Sequence, residues 1–315
     1  MKLFLGVDGG QSSTTALIGH ETGRVLGAGV GGPCNHAATH EGQEKLERAV
    51  AACLAAACDQ AGLDAGTIRF EVACLGMSGG PDDKREILAA LLRAGKLIVT
   101  TDAVIALAGA TPTGQGIIVV AGTGSMAFGR NARGDTARAG GWGYLFGDEG
   151  SAFDIARQGL RAALRMEEGW GPSTALRQLF LEAAGSADAW HAMHLFYTDE
   201  WPRSRLATLA FLVDRAALGA DAVARQILDD AAARLAGFAG AVRAQLWKPG
   251  EAVDAAYSGG VFNSPIVRER FCRLVEADAG TRCGAPRHGP AVGALLEAYR
   301  AVGLNPEIGR ADLPT

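Results

Sequence analysis

Two short stretches of this 315-residue chain carry residue types suited to holding phosphate. The first, Asp8-Gly-Gly-Gln-Ser-Ser-Thr14, follows the apolar run Leu3 to Val7 and leads into a second apolar run, Thr15 to Ile18. The other, Gly122-Thr123-Gly124-Ser125, lies inside GIIVVAGTGSMAFGRN. Short aliphatic and β-branched runs around Gly-rich turns read as hairpins. A turn of Gly, Ser and Thr offers backbone N–H groups and hydroxyls to one concavity, which suits phosphate oxygens. Taken singly, either stretch also fits an ordinary hairpin, because glycine marks turns everywhere. Other phosphate-binding designs fit poorly. A P-loop needs Gly-Lys-Ser/Thr at the start of a helix, and the only Gly-Lys, at Lys96, is followed by Leu97. A dinucleotide-binding turn needs Gly-x-Gly-x-x-Gly opening a helix. After Gly124 the chain instead reads as a strand, and Gly141-Trp142-Gly143 with Gly147 has the wrong spacing.

Two carboxylates stand where chemistry can use them. Asp8 directly follows the first apolar run, where it can form a turn by accepting from the Gly10 N–H. Asp102 ends LIVTTDA. A carboxylate at the carboxyl end of a strand points into the crevice of an α/β sheet, where it can take a proton from a hydroxyl. Asp102 can equally cap a helix starting at Val104. Asp148 and Glu149 read as acids at a helix N-terminus.

The elements that must position these residues follow in order. Residues 2–8, 14–19 and 23–31 read as a meander of three strands, and residues 39–61 as a helix capped by Thr39. A strand over 70–78, a helix over 81–94 and a strand over 96–103 complete a β-β-β-α-β-α-β unit. The second half opens with a hairpin near residue 116. Helices are expected over 147–166, 173–184, 206–218 and 221–245, followed by a strand over 252–260 and helices over 265–279 and 288–302. Ser264 would cap the first of the last two. Two β-rich halves, each opening with a phosphate-type hairpin, predict a duplicated α/β unit with a cleft between two lobes. The N-terminal lobe is expected to span 1–112, joined by a C-terminal helix over 288–305, and the other lobe 113–287 with a helical insertion.

Composition bounds the function. With 48% hydrophobic and 20% charged residues, the chain can bury a sizeable core. A net charge of −4 and no basic stripe argue against a nucleic-acid partner. The longest apolar candidate, AVAACLAAAC, is flanked by Arg48 and Asp59 and reads as a buried helix rather than a membrane span. No signal-peptide pattern precedes the first strand. None of the six cysteines forms Cys-x-x-Cys and no His cluster completes a zinc set. Free thiols in a reducing cytoplasm are expected.

The pattern resembles the actin-like ATPase superfamily shared by sugar kinases and heat-shock chaperone ATPases. VDGGQSSTT looks like its first phosphate loop, AGTGSMAFG like its second and YSGGVFNSP (257–265) like its adenosine motif. TTDAVIALAGA (100–110) and GPAVGALLEAY (289–299) look like its connecting helices. Within it, GGPCNH (31–36), LGMSGG (75–80), TTDA (100–103) and above all GGWGYLFGDEGSAFDIA (140–156) are similar to the N-acetylglucosamine kinases. The activating BadF/BadG-type ATPases of CoA-thioester dehydratases share the hairpins. They hold an iron–sulfur cluster between subunits with paired cysteines, and no such pair in a Gly-rich helix junction stands here.

The resemblance implies a two-lobed α/β fold and transfer of phosphate from ATP, with Mg²⁺, to an amino sugar, N-acetylglucosamine at O6 before glucosamine; a regulatory ATPase without a sugar acceptor is the alternative. It implies that Asp8 orients the Mg²⁺ and that Asp102 is the base that also contacts the sugar. Gly9, Gly10, Ser12, Ser13, Thr14, Gly122, Thr123 and Gly124 would line the phosphates. Gly259, Gly260, Asn263 and Ser264 would pack against adenine and ribose. Asn35, Ser78, Gly79, Ser125, Gly141, Trp142, Gly143 and Asp148 would contact the sugar. The animal enzymes of that family carry a tryptophan two residues after the matching Asn, where this chain has Ala37. The expected partners are ATP and the sugar, with no nucleic acid and no membrane, and the chain is expected to form a homodimer.

Overall fold

The computed structural model describes residues 1–10, 12–34 and 39–309. The chain forms two compact units: Met1–Gln115 with Pro286–Thr315, and Gly116–Ala285. In the first unit the elements are β1 (Leu3–Gly9), β2 (Thr14–His20), β3 (Val25–Gly31), α1 (His40–Ala61), β4 (Phe70–Met77), α2 (Arg85–Leu91), β5 (Ala94–Thr101) and α3 (Asp102–Ala110). The chain returns to this unit at its far end with α11 (Pro290–Arg300). The sheet order is β3-β2-β1-β4-β5. β1, β2 and β3 pair antiparallel, while β1, β4 and β5 run parallel.

Alternation along β1 divides two cores. Leu3, Leu5 and Val7 join Leu46, Val50 and Cys53 of α1 on one face. Phe4 joins Leu295 and Tyr299 of α11 on the other. Successive strand side chains point to opposite faces, so a single strand supplies both layers. On the α11 side Gly6 takes part through its backbone. A Cβ there would lie 2.3 Å from the Leu295 nitrogen, and one on Gly293 would lie 1.9 Å from the Ile105 carbonyl oxygen of α3. The two residues let α11 rest directly on backbone. Tyr299 closes this layer, its ring 4.6 Å from that of Phe4 and its hydroxyl donating to the His20 carbonyl at 2.7 Å.

The second unit repeats the plan. Its strands are β6 (Gly116–Ala121), β7 (Ser125–Arg130), β8 (Thr136–Gly140), β9 (Val253–Ser258) and β10 (Thr281–Gly284). The order β10-β9-β6-β7-β8 is the first sheet's order with corresponding strands in corresponding places. Between β8 and β9 come α4 (Ala152–Glu167), α5 (Leu176–Ala184), α6 (Ala189–Phe196), α7 (Arg203–Thr208), α8 (Ala210–Leu218) and α9 (Ala222–Leu246). A 3₁₀ turn at Gly260–Asn263 leads into α10 (Pro265–Glu276). Two five-stranded mixed sheets of one topology, each backed by helices, make up the actin-like ATPase fold.

Several elements differ from expectation. α2 begins at Arg85 rather than near 81, because Pro81–Lys84 forms a turn anchored by the Lys84 side chain. The helix expected from 147 starts at Ala152. Residues 140 to 150 instead run as a glycine-hinged loop in which Gly140, Gly141, Gly143 and Gly150 all adopt positive φ. The helix expected from 173 starts at Leu176, and that expected over 206–218 is two, α7 and α8, parted at Leu209. β8, β10 and α6 had no expectation. Thr39 and Ser264 cap their helices, accepting from Gly42 N and Val267 N. Gly293→Ala is expected to lower stability by about 1–3 kcal/mol in urea unfolding, since a methyl group must push two helix backbones apart. Gly32→Ala, with open space around its Cβ, is expected to leave the midpoint unchanged.

Candidate active site

In the first unit the parallel strands β1, β4 and β5 end level with one another. Gly9 pairs with Met77, and Met77 with Thr101. This row brings Asp8, Ser78 and Asp102 to one sheet edge. Ser78 N donates to the Gly9 carbonyl at 2.9 Å, and the Ser78 hydroxyl hydrogen-bonds the Asp102 carboxylate. Asp102 is the first residue of α3, not its cap. Thr101 holds the cap position without a side-chain bond, while Asp102 Oδ1 accepts from the next N–H, Ala103, at 2.8 Å. Nor does Asp8 close its own turn, because Gly10 N donates to the Ser13 carbonyl.

Both carboxyls are held out of water. Burial, with the Asp102 charge adding to it, pushes Asp8 up to about 6. Burial also raises Asp102, partly offset by the N–H of Ala103 and the hydroxyl of Ser78. Two nearby carboxylates resist ionising together. A raised carboxyl is better matched to taking a proton near neutral pH than an ordinary one.

Around these residues the first loop is built from inside. Thr14 is fully buried, and its hydroxyl donates to the Gly32 carbonyl at 2.8 Å and is hydrogen-bonded with the Cys34 thiol at 3.2 Å. Cys34 N donates to the Gly10 carbonyl at 3.0 Å. Thr14 thus ties the loop to the segment leading toward Asn35, rather than offering its hydroxyl outward. Ser12 and Ser13 are exposed. Asn35 lies outside the described residues. Gly79 is exposed beside Ser78. Lys84, fully buried, donates to the Gly80 carbonyl at 2.9 Å and to Asp83 Oδ1 at 2.7 Å, which fixes the loop carrying Ser78. The sequence concealed it: a lysine after two aspartates reads as a solvated pair.

The second unit gathers another cluster around Gly122–Ser125. Gly122 N donates to the Gly124 carbonyl at 2.9 Å, and the Gly122 carbonyl accepts from Ala152 N at the start of α4 at 2.8 Å. Asp148, with φ of 60°, lies behind the loop. Its Oδ1 accepts from Ser125 N at 3.1 Å and its Oδ2 from the Arg203 guanidinium, which also donates to the Thr123 carbonyl at 3.1 Å. Ser125 is buried and its hydroxyl donates to the Glu149 carbonyl at 2.7 Å. Asp148 and Ser125 are therefore joined to the phosphate-type loop itself. The acid in the first turn of α4 is Asp154, accepting from Gly150 N, and Ser151 is its cap. Arg203 was not anticipated. It stands 55 residues from Asp148, in the helical insertion, with no motif around it.

Gly259 reaches the same loop. Its φ is 102°, and a Cβ would meet the Ala121 carbonyl oxygen at 2.3 Å, so only glycine fits. Gly260 and Asn263 are exposed in the turn that follows, and Ser264 is buried as the cap of α10. Gly141 and Gly143, both at positive φ, flank Trp142, which is 68% exposed with the Arg138 guanidinium over its ring.

A divalent cation fits the first cluster by its donor set. No group of three or more His, Cys, Asp or Glu among the described residues can hold a metal. Mg²⁺ commonly takes only one or two carboxylates and fills its other positions with water and substrate phosphates. Asp8, with burial disfavouring its bare charge and no cation partner among the described residues, suits that role.

Two outcomes follow. A folded carboxyl raised above its unfolded value is neutral in both states at low pH, and its ionisation destabilises the fold as pH rises. In EDTA, Asp8→Asn should match the parent near pH 3, below the unfolded value, and exceed it by up to about 3 kcal/mol near pH 7.5, as read from thermal scans across pH. For the second loop, Gly124→Val would confound the reading, because a Cβ at Gly124 meets the Asp148 carboxylate at 2.9 Å. At Gly122 a Cβ meets nothing within 4 Å. Gly122→Val should leave the melting temperature in place and weaken ATP binding by calorimetry at least about tenfold, or about 1.4 kcal/mol.

The chain resembles known proteins over most of its length. The chain is 32% identical over 269 residues to an N-acetylmuramic acid/N-acetylglucosamine kinase of Clostridium acetobutylicum, covering 84% of this chain and 87% of that one. It is 31% identical over 252 residues to an N-acetyl-D-glucosamine kinase of Dictyostelium discoideum, covering 73% and 76%. A crystal structure from Chromobacterium violaceum, of a candidate N-acetylglucosamine kinase, superposes with a TM-score of 0.76 at 28% identity, covering 94% of this chain and 98% of that one. A ROK family glucokinase of Streptomyces griseus, solved with glucose and AMPPNP, shares the fold, with a TM-score of 0.55 at 19% identity over 95% and 99% of the two chains. Residues 5–298 match the BadF/BadG/BcrA/BcrD ATPase family, and the chain belongs to it.

Proposed function

We propose that the protein transfers the γ-phosphate of ATP to the O6 hydroxyl of an N-acetylated amino sugar, N-acetylglucosamine first among them. The observation that carries this reading is the Asp8–Ser78–Asp102 edge, where a raised carboxyl is fixed by a hydroxyl and a helix N–H beside a second buried acid. A sugar hydroxyl is a poor nucleophile, and a positioned base must accept its proton as the new bond forms. Asp102 fills that role. Asp8 holds Mg²⁺, which when bound offsets the charge on the β- and γ-phosphates. In the second unit the N–H groups of Thr123 and Gly124, which the turn's own hydrogen bonds do not use, suit phosphate oxygens, and Gly259 and Gly260 leave room for the nucleoside. Trp142, exposed and held between two glycines, offers a flat apolar face to the sugar. Two relatives above 30% identity bear N-acetylglucosamine kinase in their names, which supports the acetylated acceptor over glucosamine. The buried thiols Cys34, Cys53 and Cys58 fit a reducing cytoplasm. No helix among the described residues is long and apolar enough to cross a membrane.

The test is Asp102→Asn. The amide can still accept from Ala103 N but cannot hold the hydroxyl proton at neutral pH. Sugar phosphorylation is expected to fall about 10²- to 10⁴-fold, in kcat more than in KM, with calorimetric binding of ATP and sugar retained. A panel of N-acetylglucosamine, N-acetylmuramic acid and glucosamine ranks the acceptors by kcat/KM. ATP turnover indifferent to every sugar in the panel would instead favour an ATPase without a sugar acceptor.

A further inference from the structure

Within the second unit the helical insertion encloses a cavity of about 370 Å³ that the phosphate-loop cluster does not use. One stripe of α4 lines it: Phe153, Ala156, Leu160 and Ala163 recur at helical spacing. Phe180 of α5, Met193 and Phe196 of α6 and Leu206 of α7 close the other sides. The volume is that of a small-molecule pocket. Apolar walls of this kind do not hold water well.

The charged groups on this cavity are of one sign. Arg157, Arg161 and Arg177 stand at its wall. Arg177 pairs with Glu167, and Arg157 donates through Nη2 to Asp154 Oδ1 at 2.7 Å. Arg157 Nε is buried with no hydrogen-bond partner, and Arg161 is exposed with no ion-pair partner among the described residues. A buried N–H without an acceptor is costly. An acceptor brought by a ligand would satisfy it, and the guanidinium fork favours a carboxylate or phosphate. The wall also has a route to the site. The Phe153 ring has two guanidiniums over it, Arg157 at 5.8 Å and Arg203 at 5.5 Å from its centroid, and Arg203 is the group that holds Asp148.

We propose that this cavity binds a small amphipathic anion, with its apolar body against α4, α5 and α6 and its carboxylate or phosphate head on Arg157 and Arg161. The chemistry is that of a medium-length acyl or aryl carboxylate, distinct from both ATP and a sugar.

The experiment is calorimetric titration of the full chain with decanoate, without ATP, Mg²⁺ or sugar, so that its result stands apart from the kinase reading. Decanol is the uncharged comparison. Saturable one-to-one binding of decanoate, about fivefold or more tighter than decanol, is expected. Arg161→Ala, an exposed change that leaves the fold alone, should weaken decanoate by about fivefold. Leu160→Trp and Met193→Trp, which fill the cavity from different helices, should each abolish binding; whichever keeps the parent's melting temperature decides. Absence of saturable binding overturns the proposal, as does binding that survives the filled cavity. Equal affinity for decanol and decanoate removes the anion site. A second copy of the chain covering the cavity would appear as a dimer that neither binds decanoate nor dissociates in its presence, and would also overturn it.

Discussion

Keeping two carboxyl groups partly out of water at one sheet edge is the constraint around which the first unit is arranged. Burial alone would neutralise Asp8 and Asp102 and leave them inert. Around them the fold supplies a limited set of donors, the Ser78 hydroxyl and the N–H of Ala103 on Asp102, which temper the effect of burial. The strands set this arrangement. β1, β4 and β5 are parallel and end in register, so three short side chains from distant parts of the sequence meet at the strand ends. The buried Lys84 then holds the Ser78 loop by its carbonyl at Gly80. That cation is already paired with Asp83, so it fixes backbone without quenching the carboxyls.

The second unit solves a different problem with the same topology. Its Gly122–Ser125 loop has its own carbonyls and neighbouring side chains tied down from behind. Asp148 and Arg203 do this together: the carboxylate takes the Ser125 N–H and the guanidinium takes the Thr123 carbonyl. Each charge is held by the other, as a partly buried pair must be. The Arg203 guanidinium lies over the Tyr144 and Phe153 rings, an arrangement suited to a weakly hydrated planar cation. An Asp148 engaged in this way can give a sugar hydroxyl only lone pairs that Arg203 and Ser125 leave free.

The fold was legible in the sequence because its signals are local and repeated. Alternating apolar runs, two Gly-rich hairpins and helices capped by Thr39 and Ser264 each follow from short windows, and the β-β-β-α-β-α-β order follows from their succession. The misplaced boundaries share a cause. Residues 140–150 contain helix-compatible residues, but closely spaced glycines at positive φ make a loop there. β8 and β10 are edge strands of five and four residues, TARAG and TRCG, too short for a pattern to mark them. At the site, residues at strand ends could be named from sequence, because strand ends follow from pattern. What those residues are bonded to could not. Thr14 turning inward to Gly32 and Cys34, Ser125 spent on the Glu149 carbonyl, Lys84 buried and Arg203 reaching Asp148 across the insertion are all tertiary facts without a local signature.

The helix α11 has a consequence for how the molecule is made. It packs directly on β1 and α3 through Gly6 and Gly293, and supplies Leu295 and Tyr299 to the layer that covers Phe4. Yet it follows the whole second unit in the sequence. During synthesis the first sheet therefore emerges with one apolar face bare, and stays so while about 170 further residues are added, at a rate of roughly 5–20 per second. The second unit, contiguous from Gly116 to Ala285, can close its own core first. Nascent chains of this protein should thus mature in the reverse of their order of translation, with the first unit dependent on chaperone protection until its final helix leaves the ribosome.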